Sequence, residues 1–216
     1  GPMYESNQTS LDFVKNLKAI LDARSCQQTD LYKSVEANIL ENDPTSESLE
    51  KIALKYNSEN NLPKAIEYYK KAIAKESDND KKAVLYFSLA QISSPSPQLS
   101  IMYCNTAIQT NPSFAKPYLL IAKLYAKGAG RCGATGTIDK LFAQKTMYWA
   151  AVDKCMMAKQ LDPTLTEEAD KQIAEYSAKF PTAEDITKQS LQIGDSYTIN
   201  CWVTTTTTVR AKIVKE

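Results

Sequence analysis

An all-α chain of stacked helical hairpins, an α-α superhelix closed by a small β segment, is predicted by three observations. Apolar residues recur at helical spacing through most of the 216 residues. Small and aromatic residues return at one phase about every 34 residues. After Gly194 the composition turns abruptly threonine-rich and β-branched. The chain is 43% hydrophobic and 24% charged, enough for a sizeable core. Its net charge of +1 creates no field that would draw nucleic acid or an anionic membrane. No apolar run approaches the ~18 residues of a membrane span, so any membrane association is expected to be indirect.

Residues 1–9 open on Gly-Pro-Met, which looks like a protease scar, and are expected to be disordered. Residues 10–45 form a degenerate hairpin, with Phe13, Leu17 and Ile20 striping one helix and Tyr32, Val35 and Ile39 the next. Residues 46–79 carry the clearest unit. Leu49, Ile52, Ala53 and Tyr56 fall at i, i+3, i+4 and i+7, and Ala65, Tyr69, Ala72 and Ile73 stripe the second helix. Pro63 is tolerated there because it lies in the first turn.

In residues 80–113, Ser100, Cys104 and Ala107 take the places of Ala65, Tyr69 and Ala72. The first helix of that unit fits best on Tyr86, Leu89 and Ala90, two residues out of register, and the proline-bearing 93–98 connection must absorb the shift. Residues 114–164 start on the stripe Tyr118, Ile121, Ala122 and Tyr125 and finish on Ala151, Cys155 and Ala158. Pro112 and Pro163 are 51 residues apart, so residues 127–148 are an insert within this hairpin.

The insert raises a nucleotide question, since Gly128, Gly130 and Gly133 read G-x-G-x-x-G. A dinucleotide site needs a strand before those glycines and a parallel sheet around them, and here a helix precedes. A phosphate-binding loop would need lysine where Ala134 stands. The glycines are therefore read as a surface loop using positive φ, and no small-molecule cofactor is expected. From Thr137, taken as the N-cap, Ile138, Leu141, Phe142 and Trp149 continue helically into a long second helix ending near Leu161.

Residues 165–193 supply capping helices. Thr164 to Glu167 and Thr182 to Asp185 read as capping boxes opening helices at about 165–179 and 183–192, with Gly194 as the C-cap. Residues 194–216 read as two short strands or one long one, packed on the helices, with a disordered threonine tail as the alternative.

A small residue, an aromatic four positions on and a closing Asp-Pro or Asn-Pro, here Asp43-Pro44, Asn111-Pro112 and Asp162-Pro163, resemble the tetratricopeptide repeat. Cys132-Gly133, Tyr148-Trp149-Ala-Ala-Val-Asp153, Phe180-Pro181, Gly194-x-x-Tyr197, Cys201-Trp202 and Thr207-Thr-Val-Arg210 together look like a group of secreted tetratricopeptide proteins of Bacteroides-group bacteria. That resemblance, over roughly residues 50–210, implies a periplasmic or envelope-associated protein without a defined biochemical activity. In an exported protein Cys132 and Cys201, both outside the repeat pattern, are candidates to pair, with Cys26 as a competitor.

The resemblance implies a non-catalytic scaffold holding a protein or peptide partner on the concave face of its first helices. On the family's register that face comprises Glu50, Leu54 and Asn57, then Tyr86 and Leu89, then Lys116, Leu119 and Lys123. A structural subunit that docks through its C-terminal strand or insert helix is the alternative. Tyr197 and Trp202 are expected to cap the last hairpin by packing on the insert helix. Catalysis is expected to be absent. There is no histidine, which removes the usual general base and commonest metal ligand, and no cysteine pair has C-x-x-C spacing. Glu167-Glu168 and Glu184-Asp185 are the remaining carboxylate pairs, both at helix starts where acids are ordinary. Lysines interleaved with acids, as Lys70 and Lys71 against Glu67 and Glu76, argue against nucleic acid.

Overall fold

A computed structural model describes residues 2–134, 136 and 138–213. Most of that chain is helical, and the described strands form one two-stranded antiparallel sheet. The chain divides between Ser77 and Asp78 into two compact units.

The first unit contains α1 (Pro2–Asn7), α2 (Leu11–Ala23), α3 (Asp30–Asn42), α4 (Ser46–Ser58) and α5 (Leu62–Lys75). Four of these helices start where a short polar side chain can satisfy an orphan amide. Ser10, Thr29, Thr45 and Asn61 each accept from the backbone N–H three residues on. Helices α2 and α3 enclose a small core of Val14, Leu21, Tyr32 and Val35. The apolar stripe of α2 is rotated from the expected one: Val14 and Leu21 are buried, whereas Ile20 is half exposed. Within the segment expected to be disordered, Pro2–Asn7 forms α1. Tyr4 anchors α1 by packing on this core and donating its hydroxyl to the Ser34 carbonyl at 3.0 Å. In α4 and α5, Leu49, Ala53, Ala65, Tyr69 and Ala72 interlock with essentially no exposure, as the small-and-aromatic pattern requires.

The second unit contains α6 (Asn79–Ile92), α7 (Pro97–Thr110), α8 (Lys116–Gly128), α9 (Lys140–Leu161), α10 (Thr166–Ser177), α11 (Ala183–Lys188), β1 (Ser196–Asn200) and β2 (Thr204–Thr208). Packing runs in chain order, α6 on α7, α7 on α8, α8 on α9 and α9 on α10. Ser100, Cys104, Ala107, Ala151, Cys155 and Ala158 are fully buried at the contacts. The polar Ser100 is tolerated because its hydroxyl donates to the Ala90 carbonyl at 2.7 Å.

Several boundaries differ from the expected ones, each for a local reason. Helix α9 begins at Lys140, capped by Asp139 accepting from Phe142 N–H; the expected cap, Thr137, lies outside the described residues. Ile138 precedes the helix, and Leu141 is 60% exposed while Phe142 and Trp149 are buried. The box at Thr164 to Glu167 does not form. Asp162 instead accepts from both the amide and hydroxyl of Thr164, winding Pro163–Leu165 into a 3-10 turn before α10. The box at Thr182 and Asp185 is complete. Helix α11 then stops at Lys188, and Ser190 turns the chain with φ 57°. Gly194 is therefore no helix cap; at φ 98° it turns into the hairpin, its N–H donating to the Val209 carbonyl.

The C-terminal segment is a hairpin with Tyr197 opposite Thr207 and Ile199 opposite Thr205. The threonine run is strand, because Ile199 and Thr207 are buried against the unit while their neighbours face out. Helix α9 contacts both strands.

Candidate binding groove

Three helices of the second unit open onto one cleft of about 470 Å³. Helix α6 contributes Val84, Phe87, Ser88 and Gln91; α8 contributes Lys116, Leu119, Leu120 and Lys123; Leu165 and Glu168 come from the start of α10, and Phe114 from the approach to α8. The rows from α6 and α8 match in sequence register. When α6 and α8 are superposed on their stripes, Tyr86-Leu89-Ala90 and Tyr118-Ile121-Ala122, the eight residues occupy four pairs of equivalent positions shifted by 32.

The floor is apolar. Phe87 and Phe114 meet edge to face at 5.4 Å between ring centres, and Val84 is 45% exposed beside them. The polar groups divide into one pair and one single charge. Lys123 donates to Glu168 at 2.8 Å, and Glu168 also accepts from Gln172. Gln172 is itself buried, its carbonyl taking the Tyr176 hydroxyl and the Cys155 thiol. Burial pushes the Tyr176 phenol up to about 12. Lys116 is exposed and makes no ion pair among the described residues; its charge helps hold Asp162 below the usual carboxylate range, after the Thr164 hydrogen bonds that dominate there.

The residues expected on this face are only partly brought together. Lys116, Leu119 and Lys123 line the cleft, although Leu119 is nearly buried. Leu89 is wholly buried and Tyr86 half-buried, so neither belongs to the groove surface. Their places are taken by Val84, Phe87, Ser88 and Gln91. Three of these four, Val84, Ser88 and Gln91, lie 34 residues after Glu50, Leu54 and Asn57, so the repeat period itself was the signal that locates them. Glu50, Leu54 and Asn57 lie on α4 in the first unit, partly or well exposed. A cleft of about 920 Å³ in that unit is lined by α2, α3 and other α4 residues, among them Glu47, Lys51 and Lys55, and not by those three.

The carboxylate pairs at helix starts are engaged structurally. Glu168 holds Lys123, and Asp185 caps α11 while accepting from Lys145 at 2.7 Å.

The glycine loop and the hairpin meet at a second focus. Cys132 and Cys201 form a disulfide, Cα–Cα 5.2 Å, and Cys26, Cys104 and Cys155 are free. Tyr197 lies on α9, edge to face with Phe142 and Trp149. Trp202, expected to pack on the insert helix beside Tyr197, lies elsewhere. It lies on the end of α8, edge to face with Tyr125 at 6.2 Å and under the Arg131 guanidinium. Its Nε1 is buried with no hydrogen-bond partner among the described residues. The positive-φ reading of the three spaced glycines is corrected here too: only Gly136 and Gly194 among the described glycines adopt positive φ, and Gly128 serves by making room for the Trp202 ring.

At its other end the hairpin is fastened to α9. Asp153 accepts from the Thr207 hydroxyl at 2.5 Å and pairs with Arg210, whose carbonyl accepts from Trp149 Nε1 at 2.7 Å.

No family model matches this chain, and no curated protein matches it.

Proposed function

We propose that this chain is a non-catalytic protein-interaction scaffold of the tetratricopeptide type, holding a peptide or protein segment in the groove of its second unit. The observation carrying this reading is that equivalent positions of α6 and α8, extended by the start of α10, converge on one cleft with an apolar floor and few charges. Such a surface suits a chain segment, because apolar contact supplies affinity and sparse polar groups fix direction. The small-and-aromatic phase supports the repeat assignment, with Ala65, Tyr69 and Ala72 matched by Ser100, Cys104 and Ala107. The Cys132–Cys201 bond supports an oxidising compartment such as the periplasm or envelope.

Docking through the insert helix has less support, since Phe142 and Trp149 are already spent inside the unit.

A photoactivatable residue at Ser88, in the groove, compared with one at Asn105, exposed on α7, tests the proposal. In envelope extract of the source cells, Ser88 is expected to capture a discrete protein that Phe87→Ala abolishes and Asn105 does not capture. Equal capture from both positions, or none from Ser88, removes the reading.

A further inference from the structure

We infer that the Cys132–Cys201 disulfide is a redox latch: a dithiol reductant that opens it frees Trp202 and the hairpin tip from the end of α8 while the fold stays intact. The groove takes no part.

The hairpin is held in two separate ways. Its base is fastened by contacts that do not involve the disulfide. Asp153 takes the Thr207 hydroxyl and Arg210, and the Gly194 N–H donates to the Val209 carbonyl. Tyr197 lies against Phe142 and Trp149, and Ile199 is buried. The tip, residues 201–203, turns between β1 and β2 and is closed by the Cys201 N–H donating to the Val203 carbonyl at 3.1 Å. It reaches the helices through the disulfide to the insert and through the Trp202 ring on α8. Opening that bond leaves the base in place and the tip resting on the indole.

The Trp202 contact is closely balanced. In its favour are edge-to-face packing on Tyr125 at 6.2 Å and the Arg131 guanidinium 5.6 Å from the ring centre. Against it stands the indole Nε1, buried with no hydrogen-bond partner among the described residues. A donor in that state carries its whole desolvation cost, which it recovers by turning out to water. The neighbouring covalent bond tips this balance. It holds residue 201 over the helix end and spares the indole the entropy of finding its place. The insert has a hold of its own, since Gln144 Nε2 donates to the Gly130 and Cys132 carbonyls, both at 3.3 Å. When the bond opens, the tip departs and the insert stays.

Cys132 is almost wholly buried and Cys201 only partly, so attack falls on Cys201. A thiolate of the reductant displaces Cys132 from the Cys201 sulfur, giving a mixed disulfide at Cys201 and a Cys132 thiolate that takes up a proton. The reductant's second thiol then displaces Cys201, which is protonated in turn, and the reductant leaves as its own disulfide. The open state bares Gly128, Tyr125 and Arg131, a surface that the closed state covers.

Titration of the intact chain with dithiothreitol in native buffer, followed by tryptophan emission and far-UV circular dichroism, tests this. Alkylation and mass spectrometry score when Cys132 and Cys201 become thiols. Reduction is expected to shift emission to the red and raise acrylamide quenching several-fold, with helix content retained and reoxidation reversing both. Trp149 is fully buried, so in Trp202→Phe the shift should vanish. Hydrogen exchange on the unsubstituted chain needs no variant: on reduction it should quicken at residues 201–203 and stay unchanged at 206–209. Unchanged emission once both thiols are scored overturns the latch, and so does a shift that persists in Trp202→Phe. Loss of helix in step with reduction makes the bond a stability staple and overturns it too, as does a disulfide that dithiothreitol opens only in denaturant.

Discussion

Trp202 crosses Gly128 so closely that a β-carbon built on the glycine would stand 2.3 Å from the indole ring. The obstructing atoms belong to a rigid ring, so the extra methyl cannot be absorbed by a small side-chain adjustment. Gly128→Ala is expected to destabilise the second unit by about 1–3 kcal/mol, the usual penalty for overpacking, and to shift tryptophan emission to the red. In a Trp202→Ala background the same change should be close to neutral. Equal effects in both backgrounds, read by chemical denaturation, would show that the contact is not the cause.

The Cys132–Cys201 bond closes a loop over a sequence separation of 69. On the chain-entropy model such closure stabilises by on the order of 4 kcal/mol. Cys132→Ser with Cys201→Ser should therefore unfold at markedly lower denaturant, and a non-reducing peptide map of the parent should join the two cysteine peptides. A map joining Cys26 to either residue would contradict this pairing.

Cys104 and Cys155 sit where the first complete hairpin has Tyr69, and burial pushes both thiols up to about 12. A thiol this basic and this buried forms almost no thiolate near neutrality. In native protein at pH 8 a disulfide reagent should label Cys26 first and the other two only on the timescale of unfolding. Fast labelling of all three would refute their burial.

Asp153 holds the hairpin through Thr207 and Arg210 on a partly buried surface. Asp153→Ala should cost about 2–3 kcal/mol, as expected for hydrogen bonds to a charged group left without their acceptor. Limited proteolysis near residues 200–204 should accelerate in parallel. A loss below about 0.5 kcal/mol, the usual range for an unimportant surface change, would mean the hairpin is fastened elsewhere.

Acid stability follows from the lowered carboxylates. Lys15 first, then Lys75, hold Asp43 below the ordinary range, and Lys145, then the Thr182 amide, do so for Asp185. A carboxyl whose folded pKa is depressed adds stability that is fully present above its unfolded value, about 4, and lost as pH falls through the folded value. The melting temperature should be flat from pH 7 to 5 and fall below about pH 4. Asp185→Asn should lower the neutral-pH value and shrink the acid drop. An acid drop of unchanged size would exclude Asp185 as a contributor.

The hairpins were legible because their signal is local. Ala65, Tyr69 and Ala72 announce close helix contact by size alone, and a cysteine or serine in the same phase reads the same way. Groove positions on α6 were harder. The expected Tyr86 and Leu89 belong to the apolar stripe of α6, whereas Glu50, Leu54 and Asn57 advanced by 34 fall on Val84, Ser88 and Gln91, and it is these with Phe87 that line the cleft while Leu89 is buried. The Trp202–Gly128 contact was beyond sequence reasoning, since it depends on where a hairpin from the far end of the chain lands. Backbone approach leaves no periodic trace, which is why the glycines resembled a nucleotide motif as readily as a clearance for an indole.

The interval of 69 residues between Cys132 and Cys201 also sets an order of events during synthesis. At about 5–20 residues per second, Cys132 waits roughly 3–14 s for its partner to be made. During that wait Cys104 is already present and Cys155 soon follows, and thiol oxidation takes seconds or longer. Helices assemble in microseconds, so α7 and then α9 withdraw their thiols into the packed hairpins long before Cys201 emerges. Placing cysteine at the tightest point of two hairpins thus removes two wrong partners from competition, and burial acts as a chaperone for the one bond that forms.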